Sequence, residues 1–154
     1  MTSFQVETTI KAPLAEVWQA LGTIGDIYLW NPGVLASHTT SKRSNGLGAT
    51  RICDLGGKNY LNEEVVAWEP NKKLTMRITE TNLPFATADI RFALREENEQ
   101  TIVTVSPLYS LKFGLLGKLL DWAYVRHTYQ KGMSSLLAGL KQFVEKEQEI
   151  LGKD

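Results

Sequence analysis

Residues 115–149 read LLGKLLDWAYVRHTYQKGMSSLLAGLKQFVEKEQE, and this stretch decides the architecture. No proline interrupts it, and Leu115, Leu119, Trp122, Met133, Leu136, Leu140 and Phe143 share one stripe at about 100° per residue. The pattern predicts a long C-terminal helix with a single apolar face. At ~1.5 Å per residue such a helix runs to roughly 50 Å, more than a small domain needs. Gly117 or Gly132 is therefore expected to bend or break it.

The chain ahead of this helix has a different period. From about Val34 to Tyr109, apolar runs alternate with turn signals at Asn45-Gly46, Gly56-Gly57, Pro70-Asn71, Asn82-Leu83-Pro84 and the polar EENEQ. The alternation is clearest at Ala86, Ala88, Ile90, Phe92 and Leu94, and it recurs at Leu61, Val65 and Ala67 and at Leu74, Met76 and Ile78. An antiparallel meander of six strands follows. Before it, Phe4, Val6, Thr8 and Ile10 make one more half-buried strand. Pro13 then opens a short helix ended by Gly22, and GDIYLW suits a second one, closed by Asn31-Pro32-Gly33.

The order is strand, two short helices, six strands, one long helix. It predicts an α+β fold in which seven antiparallel strands need one face covered, with the C-terminal helix as the natural cover. A curved sheet around one helix has more concave area than the helix fills. The remainder becomes an apolar pocket, the usual form of a small-molecule site. Trp30, Met76, Phe92, Trp122, Tyr129 and Met133 are the expected plastic lining; for each, plain core packing is the alternative.

Composition narrows the function. Seventeen basic and seventeen acidic side chains cancel, which weighs against a nucleic-acid binder and against a polybasic membrane anchor. Apolar residues at 43% and charged residues at 22% place the chain with globular proteins rather than disordered ones. The lone cysteine, Cys53, excludes an internal disulfide and a cysteine-rich zinc site. MTSFQVETTIK shows no signal-peptide pattern, and no apolar run is long enough to span a membrane. The expectation is a single domain over residues 1–154, cytoplasmic, without cofactor or metal, monomeric or weakly dimeric.

The ordered set IKAPLAEVWQALGTIGDIYLWNPGV, GLGATRICDLGG, LNEEVVAWEPNKKLTMRI and LLGKLLDWAYVRHTYQKGMSSLLAGLKQFVE resembles the START and birch-pollen-allergen (SRPBCC) superfamily, in its polyketide cyclase/dehydrase and lipid-transport branch. The resemblance covers almost the whole chain. It implies the helix-grip fold, a seven-stranded antiparallel sheet curled around the C-terminal helix with a hydrophobic cavity between. It also implies a small hydrophobic ligand, such as a lipid, a polyketide or an aromatic compound; a minority of members are cyclases or dehydratases.

Strand register selects the polar candidates. Placing Cys53 and Leu55 inward turns Arg51 inward, and placing Leu61, Val65 and Ala67 inward does the same for Glu63. The two side chains then face one another across a hairpin, and two charges on an apolar face demand pairing. In the plant hormone receptors that this chain resembles, an arginine and a glutamate stand at matching positions near the pocket. The resemblance implies a polar anchor for a ligand hydroxyl or carboxylate. Arg126 and Tyr129 fall on the apolar stripe of the long helix, where each could reach a ligand unless Arg126 runs out to solvent. Leu47, between Gly46 and Gly48, and Leu83-Pro84-Phe85 match loops that close over the pocket in those receptors, with ordinary hairpin turns as the alternative.

Catalytic candidates are sparse. His127 projects off the stripe, and His38 lies in a polar segment with no partner at metal-ligand spacing. Cys53 reads as a small buried hydrophobe, Asp89 is out of phase with the core, and Glu63-Glu64 point to opposite faces. Glu63 is the one candidate for acid/base work, with Arg51 or Arg126 stabilising an enolate. Binding or transport of a small hydrophobic ligand is the leading reading. A polyketide-type cyclase or dehydratase, and a co-chaperone-like interaction module with a vestigial cavity, are the alternatives.

Overall fold

The computed structural model describes residues 1–152. Antiparallel strands β1 (Thr2–Ser3), β2 (Val6–Ile10), β3 (Ala36–Thr39), β4 (Thr50–Gly56), β5 (Asn59–Glu69), β6 (Lys73–Thr81), β7 (Phe85–Glu97) and β8 (Gln100–Leu111) form one curved, unclosed sheet. Its order is β1-β8-β7-β6-β5-β4-β3, with β2 also paired to β8. The opening strand is thus one strand interrupted after Ser3, with Phe4 tucked into the core. Helix α1 (Leu14–Gly22) and a 3-10 turn (Ile24–Leu29) bridge β2 to β3. This is the helix-grip arrangement.

The concave face carries the core. Val65, Leu74, Met76, Ile90, Phe92, Val103 and Val105 point inward from the strands and meet Met133, Leu136, Leu137, Leu140 and Val144 of the long helix. The helix backbone comes very close to the bridge behind α1. A Cβ built on Gly139 would lie 2.0 Å from the Trp30 carbonyl oxygen, so only glycine permits this approach.

Bulges, which bend and twist the strands that carry them, set which residues point inward. One between Val65 and Ala67 turns Trp68, not Ala67, toward the core, where it meets Trp18 edge-on at 4.9 Å. Another between Phe85 and Thr87 leaves Ala86 exposed and brings Phe85 in. The expected alternation therefore fails at Ala67 and Ala86. A regular two-residue period cannot anticipate an inserted residue.

The C-terminal helix runs without a break through α2 (Gly114–Leu120), a π turn (Asp121–Val125) and α3 (Arg126–Gly152). Neither Gly117 nor Gly132 interrupts it. The irregularity is the π turn, where Asp121 is drawn inward to accept the hydroxyl hydrogen of buried Tyr109. A π turn holds more residues than an α turn and rotates the faces on either side. The apolar stripe consequently splits. Met133, Leu136 and Leu140 are buried, whereas Leu115, Leu119 and Trp122 are exposed.

Candidate functional site

The β4–β5 hairpin builds the polar end of the site. Gly57 and Lys58 both have positive φ, 59° and 69°, and form the two-residue turn between Gly56 and Asn59. A bulge between Asp54 and Gly56 then shifts the pairing by one residue, so that Arg51 stands opposite Glu63 instead of Glu64. Both side chains are buried, at 5% and 2% exposure. Arg51 Nε donates to Glu63 Oε1 at 3.0 Å, and Arg51 Nη1 donates to the Ile24 carbonyl at 2.9 Å. The Cys53 thiol donates to the same Oε1 at 3.6 Å. Glu63 Oε2 is buried with no hydrogen-bond partner.

Electrostatics follow from this burial. Burial alone would lower the Arg51 guanidinium, but Glu63 and then Cys53 more than offset it and hold it above its ordinary value. Burial pushes the Cys53 thiol up to about 12 against a smaller lowering by Arg51. Cys53 is therefore a neutral thiol beside an ion pair, not the purely apolar position expected. Burial raises the Tyr129 phenol, with Glu63 and Tyr109 adding to the shift. Its hydroxyl stays protonated and, like Glu63 Oε2, is buried without a partner.

These groups form part of the wall of a cavity of about 570 Å³ between sheet and helix. Its apolar wall comes from Leu55, Leu61 and Ile78 of β4–β6, Ile90 and Phe92 of β7, and Val125, Met133 and Leu136 of the helix. Ile27 and Val34 close one side. Pro84, Tyr124 and Thr128 are lining residues that also reach solvent, which places the mouth beside them. Next to the cavity, Phe4, Phe85, Tyr109 and Tyr129 cluster with paired centroids 5.1–6.4 Å apart, edge to face except for the tilted Phe85–Tyr129 pair, fixing the Tyr129 ring.

Among the residues singled out from sequence, Arg51, Glu63, Phe92, Tyr129, Met133, Leu83, Pro84 and Phe85 stand in this wall. Four do not. Met76 is wholly enclosed by core and does not reach the cavity. Trp122 is 83% exposed, because the π turn rotates it off the Met133 face. Arg126 lies at the edge of that face and is exposed, the long side chain running out to solvent. Leu47 is exposed in its loop and outside the wall. Trp30 is buried away from the cavity, its indole nitrogen unpartnered.

Sequence reasoning missed Ile27, Val34 and Thr128 as lining, and it missed the Tyr109–Asp121 bond. An aspartate alone in the apolar run GLLGKLLDWAYV was the available signal. His38 and His127 are exposed, and Asp89 pairs with Arg77 on the outer face at 2.8 and 2.9 Å. Among the described residues, no group of three or more His, Cys, Asp or Glu side chains is placed to hold a metal ion. No helix among them is long and apolar enough to cross a membrane.

Solved structures share the architecture. The protein TTHA0849 from Thermus thermophilus aligns with a TM-score of 0.79 at 21% identity, over 95% of this chain and 99% of its own. A START superfamily protein from Mycobacterium smegmatis gives 0.77 at 13% identity, over 94% and 97%. The major latex-like protein 151 of Panax ginseng gives 0.74 at 16%, over 92% and 96%. At such identities the likeness shows the fold alone. No curated protein matches the chain. The family model described as polyketide cyclase/dehydrase and lipid transport matches residues 1–145. With nearly the whole chain inside that match, the protein belongs to the polyketide cyclase/dehydrase and lipid-transport family.

Proposed function

We propose that this protein binds and carries a small hydrophobic molecule bearing a hydroxyl group, held between the sheet and the C-terminal helix. The observation that carries this reading is the cavity itself: about 570 Å³ of mostly apolar wall with Glu63 and Tyr129 in it, each with a buried polar atom lacking a partner. An unsatisfied buried polar atom costs about 1–3 kcal/mol. A ligand hydroxyl donating to Glu63 Oε2, with the Tyr129 hydroxyl donating to a neighbouring oxygen, removes both costs at once. A ligand carboxylate would instead meet the Glu63 carboxylate, so a neutral hydroxyl is the better match. The open cavity also favours ligand binding over an interaction module with a vestigial pocket. Leu83, Pro84 and Phe85 act in this reading as an apolar cover at the mouth.

Native mass spectrometry of freshly purified protein, compared with the denatured chain, tests the proposal. A discrete excess mass of small-molecule size is expected, lost or reduced in Glu63→Gln, which converts one oxygen acceptor into a donor. A carrier shows weaker binding in that variant with no turnover to lose. If the recovered molecule is converted by wild type, and Glu63→Gln binds it equally well without converting it, the cyclase or dehydratase reading replaces this one.

A further inference from the structure

We infer that the N-terminal part of the long helix, Gly114–Val125, is a docking surface for an anionic phospholipid bilayer. This goes beyond the cavity's ligand and does not depend on it. Only Gly117 and Asp121 of this stretch are buried: Gly117 lies against Leu111, and Asp121 is bonded to Tyr109. The opposite side is apolar and free. Leu115 is 84% and Trp122 83% exposed, and Leu116, Leu119, Leu120 and Tyr124 accompany them. Single exposed apolar side chains are ordinary on a protein surface; six on one short helical stretch mark an interaction site.

Charge identifies the partner. Lys112, Lys118, Arg126 and Lys131 flank or punctuate this surface, all exposed, and the one acid between Tyr109 and Gly132 is the buried Asp121. The chain as a whole is neutral, yet this segment carries a local basic excess. A second copy docking face to face would bring an identical set of cations into the same interface. An anionic headgroup layer complements them, while leucines enter the acyl boundary and Trp122 and Tyr124 occupy the interfacial zone. Tyr124 also belongs to the cavity lining. Docking here would therefore set the cavity mouth against the bilayer.

Co-sedimentation of the full chain with vesicles of phosphatidylcholine alone, or mixed with phosphatidylserine, tests the inference. Binding is expected to the mixed vesicles, tighter than to phosphatidylcholine by roughly tenfold or more and weakening as salt is raised. A blue shift of tryptophan emission should accompany it and disappear in Trp122→Phe. Leu119→Glu should reduce binding by about tenfold or more; Lys118→Glu, which removes no apolar contact, should reduce it for serine-containing vesicles specifically. Both positions are exposed, and circular dichroism checks that each variant is folded. Failure of the wild type to bind mixed vesicles overturns the inference, as does unchanged binding by both variants. Light scattering that shows a dimer dissolved by Leu119→Glu, without vesicle binding, assigns the surface to a second copy and overturns it too.

Discussion

Arg51 and Glu63 meet across β4 and β5 with 3.0 Å between Nε and Oε1, and neither has more than 5% of its surface exposed. The guanidinium is anchored a second time by the Ile24 carbonyl, which ties the pair to the 3-10 turn behind α1. Glu63 has one oxygen used twice and the other not at all. A charge pair so enclosed does not by itself add stability, but losing either partner strands the other.

Arg51→Met is therefore expected to destabilise the protein by about 3–5 kcal/mol in urea denaturation, because Glu63 keeps its burial and loses its counter-charge. The double variant Arg51→Met/Glu63→Leu should recover most of that loss while still lacking the polar anchor. A single variant as stable as wild type would show that the pair is not held in the enclosed geometry described.

Alkaline pH should weaken the fold through Cys53. The thiol's ordinary value is 9.0 and burial raises it to about 12 in the folded protein. Above pH 9 the unfolded chain loses this proton while the folded chain keeps it, so the unfolded state is favoured as pH rises. The contribution is complete below about 9 and is lost progressively from there toward 12. Denaturation midpoints of wild type and Cys53→Ala, compared between pH 7 and 11, should show a steeper alkaline fall for wild type. Thiol reagents should label the folded protein far more slowly than the unfolded one at pH 8.

Gly139→Ala should lose about 1–3 kcal/mol, although alanine is the better helix former. The added methyl would overlap a backbone carbonyl, that of Trp30, which cannot rotate aside as a side chain would. Gly132→Ala, with nothing within 4 Å of its Cβ position, is the control and should be neutral or stabilising. Thermal melts followed by circular dichroism separate the two.

Periodicity and turn chemistry made the element order legible, since both are local properties of the chain. The helix stripe through Met133, Leu136 and Leu140 could be read directly, and the turn signal at Gly56-Gly57 fell within one residue of the actual Gly57-Lys58 turn, because each depends on near neighbours in sequence. Arg51 and Glu63 could also be found, as charges on otherwise apolar strand faces. Legibility ended wherever one inserted residue changed the count. The bulge before Gly56 decides that Glu63, not Glu64, faces Arg51, and those at Val65 and Phe85 exchange Ala67 for Trp68 and Ala86 for Phe85.

The amino-acid sequence alone determined the α+β order, the covering helix and the family to which the chain belongs. Tertiary structure alone decided that the first turns of that helix meet β8 through Gly117 and Asp121 and leave Leu115, Leu119 and Trp122 in solvent. A stripe records which residues share a face, not how far the facing sheet extends. The Tyr109–Asp121 bond sits at the start of the π turn that rotates Trp122 away from Met133. That bond joins β8 to the helix and exists only once both are packed, so one apolar pattern became a cavity wall at one end and an exposed surface at the other.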